Sequence, residues 1–352
     1  MVFFVVFLIV ALWPLKYDGD IRVWSLTLSI IFLILGILNS KLLTPLNKLW
    51  FKFGIFLGSI VSPVVMGLVY FLVLAPIGIF MRLLGKDLLK NPEYANTLIR
   101  IAKEGVSGFY SGTIAETIVA AVQEDPYPGG LTLSDLKNYK TIIRPVICGP
   151  FRDMSICTTS PPSSGGAQIM IAGLYDHLVK NKSSQADKVL AFVDAQRLAY
   201  ADRDHYFGDP DEVDIPLDAL INPTYLKHRA SERFDPSEKP IPGNPAQVID
   251  TLAFVPNWGK DNTLEAAGTT HLSIVDGNGN AVAMTATIES AFGSQRWAAG
   301  FLLNNEMTDF AREVPADGTQ LANAVAPNRR PRSSMSPTMI FDNNNQLLMI
   351  TG

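Results

Sequence analysis

Apolar and polar positions follow two regimes along this chain, with the change near residue 88. Before it lie three runs almost free of charge: residues 1–15 (MVFFVVFLIVALWPL), 23–40 (VWSLTLSIIFLILGILNS) and 53–81. About 20 apolar residues cross a bilayer, so the second and third runs suffice and the first is short, which predicts two or three transmembrane helices. After the change, apolar residues return at helical spacing. "NPEYANTLIRIAKEGVSGFYSGTIAETIVAAVQ" predicts two short helices broken by Gly108 and Gly112, and "PGGLTLSDLKNY" a turn and a capped helical turn. "TIIRPVICGPFRDMSICTTSPPSSGG" predicts a hairpin about Gly149 and Pro150, with a loop over 160–166. Helices follow in "AQIMIAGLYDHL" and "ADKVLAFVDAQRLAYADRDHYF", then long surface connections over 207–262. From residue 269 the period becomes two. "THLSIVD" and "NAVAMTATI" are strands joined by Gly277, Asn278 and Gly279, and "SPTMIFDNNNQLLMI" is a strand pair folded about Asn343 to Asn345.

Charge sharpens the division. Residues 1–90 hold 8 Lys/Arg and 3 Asp/Glu, a net of +5, whereas the remainder holds 21 and 30, a net of −9. A basic, apolar head on an acidic body predicts a membrane segment joined to a soluble domain, and lipid as the partner of residues 1–89. Neither part has the basic patch that nucleic acid requires. No Lys or Arg precedes Lys16, so the first run reads as an anchor and not as a cleaved leader. The loop over 41–52 carries Lys41, Lys48 and Lys52, against a balanced loop over 16–22 (Lys16, Asp18, Asp20, Arg22), which places 41–52 in the cytoplasm. Three crossings then leave the domain outside, periplasmic or extracellular. Arg82, Lys86 and Lys90 oppose that orientation, and Pro63, Gly67 and Pro76 allow a re-entrant hairpin as the alternative.

Candidate chemistry is sparse. Cys148 and Cys157 flank one hairpin and either pair across it or pack as small apolar residues. Four scattered histidines (His177, His205, His228, His271) have no zinc spacing, so neither a metal nor another cofactor is expected. His271, inside a strand, reads as structural. The acidic run "YADRDHYFGDPD" lacks the spacing of a calcium loop. The informative step is Gly268-Thr269. A threonine hydroxyl is a poor nucleophile unless a base adjoins it, and an N-terminal threonine carries that base as its own α-amine. An internal Gly-Thr bond would first be cut by an N-to-O acyl shift. On local sequence alone, a β-strand with threonines chosen for β-propensity is the simpler explanation of the stretch.

Six separated motifs add to this: "YPGGLTLSDL", "PPSSGG", "QRLAYADRDHYFGDPD", "TTHLSIVDGNGNAVAMT", "GFLLNNEMTDF" and "RPRSSMSPTMI". In order and spacing they make residues from about 89 to 352 resemble the γ-glutamyltransferases of the N-terminal-nucleophile (Ntn) hydrolase superfamily. The resemblance implies an α+β fold, an incomplete αββα layered sandwich preceded by the transmembrane helices. Residues 90–268 would belong to the large subunit and 269–352 to the small one. It implies self-cleavage between Gly268 and Thr269, Thr269 as nucleophile and Thr287 as its activating hydrogen-bond partner. Glu306 and Asp309 would hold the substrate's α-amino group, and Ser333 and Ser334 its α-carboxylate. The donor would be glutathione or another γ-glutamyl amide. Water, or an amino-acid or peptide amine, would release the acyl-threonine ester.

Three departures bear on that implication. Glu289 stands where the family usually has Asn, which adds a carboxylate near the substrate's own and favours a glutaryl-type or other acylase. The sequence ends at "MITG", where the family continues into a "GSPGG" loop whose amides form the oxyanion hole. The family's N-terminal part, with its carboxylate-binding arginine, is replaced by residues 1–89, which resemble small membrane proteins named after a saxitoxin-biosynthesis operon. A membrane-anchored, non-catalytic fusion or truncated relic is therefore the competing function.

Overall fold

A computed structural model describes residues 2–17, 19–38, 44–84, 90–179, 184–232, 234–250, 254–259, 261, 263, 268–313, 315 and 317–352. The chain divides into two compact units, Met1–Lys90 and Asn91–Gly352.

The first unit is helical: α1 (Val2–Leu12), α2 (Val23–Leu38), α3 (Thr44–Val69) and α4 (Ala75–Leu83). α1 and α2 form an antiparallel pair. Ser25 and Ser29, both fully buried, donate to the Phe7 and Phe4 carbonyl oxygens at 2.7 and 3.0 Å, and Phe32 stacks on Phe3 and Phe7. α3 passes through a π-helical turn, Tyr70–Leu74, into α4. Pro76 lacks an N–H and its ring crowds the preceding turn, a mismatch that the wider π turn absorbs. The segment is thus one continuous helix and not a re-entrant hairpin. Among the described residues, Lys48–Met81 is the one helix long and apolar enough to cross a membrane. α1 and α2, at 11 and 16 residues, fall short of the ~20 that a crossing takes. Against the two or three expected spans, the described residues thus hold one candidate. The expected loop over 41–52 is mostly helix, since α3 already contains Lys48 and Lys52. Asp18, Lys41 and Lys86 lie outside the described residues, as do 39–40 at the end of the second run.

In the second unit, α5 (Pro92–Glu104), α6 (Val106–Tyr110), α7 (Gly112–Val122) and α8 (Leu133–Asn138) precede the hairpin β1 (Val146–Phe151) and β2 (Met154–Thr159). Then come α9 (Gly165–Leu178), α10 (Gln185–Tyr206), α11 (Leu217–Leu220) and α12 (Pro223–Arg229). The remaining strands are β3 (Thr269–Val275), β4 (Ala281–Thr287), β5 (Trp297–Ala298), β6 (Phe301–Leu302), β7 (Thr338–Asp342) and β8 (Leu347–Thr351). The first helical stretch breaks at Gly105 (φ +62°), not at Gly108, which lies inside α6. A Cβ on Gly108 would stand 2.9 Å from the Arg100 carbonyl oxygen, so packing and not turn formation explains that glycine. The β1–β2 turn falls at Arg152-Asp153, with Arg152 at φ +58°, three residues beyond the expected place. This register sets Cys148 opposite Cys157 with their Cα atoms 4.1 Å apart, and the two are disulfide-bonded.

The four-stranded sheet runs β1-β2-β7-β8 and is antiparallel throughout. α9 packs on it, with Ile156 and Thr158 of β2 buried, and α10 packs on α9. The core between these helices and α12 contains Met170, Leu174, Leu198, Tyr225 and Leu226. α10 starts at a capping box in which Ser184 N donates to the Asp187 carboxylate (2.8 Å) and Asp187 N donates to Ser184 Oγ (3.2 Å). A smaller core joins Ile114 and Ile118 of α7 to Ala298 and Ala299 at the β5–β6 turn. Helices on one face of an antiparallel sheet make an α+β fold. The expected αββα sandwich is built only in part. β3 and β4 pair with each other and, among the described strands, with no other, so they form a ribbon in place of a second sheet.

Candidate active site

The ribbon register places Thr269 directly opposite Thr287. Thr287 Oγ1 donates to the Gly268 carbonyl oxygen at 2.9 Å and accepts from Glu289 N–H at 2.8 Å. A hydroxyl that receives one hydrogen bond and gives the next is polarised along the chain of bonds. The carbonyl it addresses belongs to the Gly268-Thr269 peptide. Glu289 sits at φ +70° and its own carbonyl faces Gly268, where a Cβ would lie 2.1 Å from that oxygen. Only glycine fits at 268 without a shift. Thr269 itself opens β3 as an exposed residue.

The Glu289 side chain is buried and accepts from Asn305 Nδ2. Asn305 also takes the Ser290 N–H (3.0 Å) on its Oδ1 and gives to Thr308 Oγ1 (3.1 Å). It thereby ties the turn after β4 to the short helix Glu306–Asp309. Glu306 is pushed up to about 7 from the ordinary 4.5, by burial first and then by the charges of Asp309 and Glu289. Its Oε1 is buried with no hydrogen-bond partner among the described residues. Three carboxylates thus converge, and Glu289 stands beside the pair expected to hold an ammonium group.

Ser333 and Ser334 stand in a second, braced group. Ser333 pairs in a parallel bridge with Ser163, and its carbonyl accepts from Ser164 Oγ at 2.6 Å. Ser334 Oγ accepts from the Arg203 guanidinium at 3.1 Å, and Arg203 Nε donates to Ser164 Oγ at 2.8 Å. The two groups are linked through Asn323, which donates to the Asp309 carbonyl (2.8 Å) and accepts from Arg332 N–H (2.8 Å). One connected set therefore holds Gly268, Thr269, Thr287, Glu289, Glu306 and Asp309, and the serines join it through backbone and amide contacts. A separate groove of about 630 Å³, lined by Phe151, Tyr175, Phe192 and Ile340, contains none of these residues.

Arg203, Ser164 and Asn305 were not singled out by the sequence, although each lies in a quoted motif. The one available signal was Arg203 itself, a cation between Asp202 and Asp204 in the acidic run. His271 is bonded on both ring nitrogens, to Thr285 Oγ1 (2.8 Å) and Ser273 Oγ (3.0 Å). The acidic run is committed to ion pairs: Asp202 with Arg229, Asp204 with Arg203 and Lys239, Asp209 with Arg144. Among the described residues no cluster of three His, Cys, Asp or Glu could hold a metal.

Residues 81–352 match the family model Gamma-glutamyltranspeptidase, and residues 1–90 that of the Saxitoxin biosynthesis operon protein SxtJ. The Glutathione hydrolase proenzyme of Escherichia coli (strain K12) is 38% identical over 277 residues, covering 76% of this chain and 45% of the relative. That of Bacillus subtilis (strain 168) is 34% identical over 271 residues, 75% of this chain and 45% of the relative. The chain thus spans less than half the length of these curated relatives. The crystal structure of cephalosporin acylase from Bacillus halodurans aligns with a TM-score of 0.59 at 22% identity, over 74% of this chain and 43% of that one, a likeness of fold. With the family model covering most of its length, the chain belongs to the gamma-glutamyltranspeptidase family.

Proposed function

We propose that this chain is a self-cleaving γ-glutamyltransferase-type Ntn hydrolase acting on glutathione or a related γ-glutamyl amide. The observation that carries the reading is the hydrogen bond from Thr287 Oγ1 to the Gly268 carbonyl at 2.9 Å, with Thr269 directly opposite Thr287. Thr269 Oγ attacks that carbonyl carbon, the peptide C–N bond breaks, and the nitrogen takes up a proton to become a free α-amine. Water then hydrolyses the Gly268 ester and restores the hydroxyl. In catalysis the α-amine accepts the hydroxyl proton while Oγ attacks the γ-carbonyl of the donor. The amine product leaves with a proton, and the acyl-threonine ester passes to water or to an amino-acid or peptide amine. Glu306 and Asp309, with Glu289 beside them, receive the donor's ammonium group, and Ser333 and Ser334 its carboxylate. Its chemistry is complementary to a zwitterion: acceptors meet the cation and hydroxyl donors the anion.

A bilayer is the partner proposed for residues 1–89, through the apolar helix Lys48–Met81, with the catalytic unit on the periplasmic or extracellular side. A second reading, a membrane-anchored relic without catalysis, is favoured by the exposure of the ribbon face, where Ile274 is 55% and Met284 50% exposed. One preparation separates these readings. Membranes containing the full chain are washed at alkaline pH, and the retained protein is analysed by intact mass and N-terminal sequencing. The expected result is a chain that stays with the membrane and yields an 84-residue fragment beginning at Thr269, absent in Thr269→Ala. An uncut wild-type chain would support the relic, cleavage that persists in Thr269→Ala would remove Thr269 as nucleophile, and release into the wash would remove the anchor.

A further inference from the structure

We propose that Arg203 is the positioning residue of the carboxylate-binding pair Ser333 and Ser334, an inference that rests on the reading of that pair given above. Three segments far apart in sequence meet at this one side chain. Arg203 leaves the last turn of α10 and is 1% exposed, so it does not itself meet a ligand in solvent. Its fork donates from Nε to Ser164 Oγ (2.8 Å) and from a terminal nitrogen to Ser334 Oγ (3.1 Å). Ser164 Oγ in turn donates to the Ser333 carbonyl (2.6 Å). One guanidinium thereby fixes the side chain of Ser334 directly and the backbone of Ser333 through a single hydroxyl. The planar fork sets the spacing of the two serines, which a lysine ammonium, a point charge on a flexible stem, would not do.

The same contacts place a buried cation one hydrogen bond behind an exposed serine. Asp204 pairs with Arg203 at 3.2 Å and is shared with Lys239 (2.8 Å) and Arg332 (3.7 Å). An anion arriving at Ser333 and Ser334 meets one hydroxyl, that of Ser334, already oriented by a positive group, and a Ser333 backbone already fixed through Ser164, so little freedom is lost on binding. Arg203 thus works through the serines to select donors that carry a free α-carboxylate.

The test compares L-glutamate with 4-aminobutanoate, which lacks only the α-carboxylate, by calorimetric titration of the full chain in detergent. Wild type should prefer L-glutamate. Arg203→Gln should weaken L-glutamate about tenfold or more, as loss of charge-assisted hydrogen bonds does, and leave 4-aminobutanoate unchanged. Arg203→Lys should recover part of the preference, and Ser164→Ala should reduce it less than Arg203→Gln does. If Arg203→Gln fails to fold, these two variants carry the comparison. A wild-type preference retained in Arg203→Gln and in Ser164→Ala, or both ligands weakened equally, would overturn the proposal while leaving the proposed function in place. A wild type with no preference fails before any variant is made, and overturns the reading of the serine pair together with this inference.

Discussion

The two halves of the candidate site are held in opposite ways. Around Ser333 and Ser334, contacts join residues distant in sequence: Arg203 to Ser334, Ser164 to Ser333, and Arg332, 1% exposed, to Asp261 at 3.1 Å. Around Thr269, the β3–β4 ribbon is held by its own hairpin register and by the bonds of Thr287 and Glu289 close to Gly268. Its turn is local as well, with Asp276 Oδ1 accepting from Asn278 and Asn280 N–H at 2.9 and 2.8 Å. Regions with few buried apolar contacts open at lower cost than the core. Ligand binding and nucleophile assembly can therefore fail separately, and a chain with an intact frame could bind a zwitterion without cutting itself.

The frame should give way only to a large insult. Arg229 and Asp202 form a buried pair at 2.9 Å, both almost without exposure, and Asp202 also accepts from Tyr225 Oη (2.7 Å) and Gly243 N–H (2.7 Å). Removing one partner leaves a buried charge uncompensated. Arg229→Met should cost about 3–5 kcal/mol, and adding Asp202→Asn should return a good part of it. Denaturant unfolding of the full chain in detergent measures both. A loss under about 1 kcal/mol for Arg229→Met would place the stability of the frame elsewhere.

A smaller effect should follow pH. Glu306, at about 7, keeps its proton in the folded protein over a range where the unfolded chain has lost it. The sign follows: in the free protein this group's contribution is present below about 4.5 and is lost as pH rises through about 7. An ammonium ligand reverses the preference, since it needs the ionised carboxylate. L-Glutamate should bind about tenfold tighter at pH 7.5 than at pH 5.5, with net proton release near pH 6.5. Equal affinities at the two values would show that Glu306 does not face the ammonium group.

The same contrast explains what was legible in the sequence. The ribbon was read nearly residue for residue, because a period of two and a Gly-Asn-Gly turn are local signals. Thr269, Glu306, Asp309, Ser333 and Ser334 lie in the motifs, and Thr287 and Glu289 just beyond one of them, so the family resemblance marked these segments well. Which side chain of a motif turns inward is decided by partners far away, and so Arg203 and Ser164 stayed hidden. Breakers misled for the same reason. Gly105, Gly108 and Gly112 look alike in sequence, yet Gly108 serves close packing against Arg100 while Gly105 takes the left-handed turn. Gly149 and Pro150 resemble a turn, but the pairing of Cys148 with Cys157 carries the strand on to Phe151.

The smallest effect is expected on the ribbon, and it tests the comparison most directly. Register puts Leu272 opposite Met284 and Ile274 opposite Val282, so the four side chains share one face, and each is about half exposed. Leu272→Thr with Ile274→Thr puts a β-branched, strand-favouring side chain at both positions while removing apolar surface that is only partly buried. Exposed substitutions usually change stability by about 0.5 kcal/mol or less, so the pair should leave the unfolding midpoint of the full chain almost unmoved. Leu198, 1% exposed in α10, supplies the control, because Leu198→Ala should cost about 2–5 kcal/mol. If the ribbon pair cost as much as Leu198→Ala, that face would be covered in solution. The nucleophile would then stand on support as firm as that of Ser333 and Ser334, and the division between a rigid frame and a lightly held ribbon would fall.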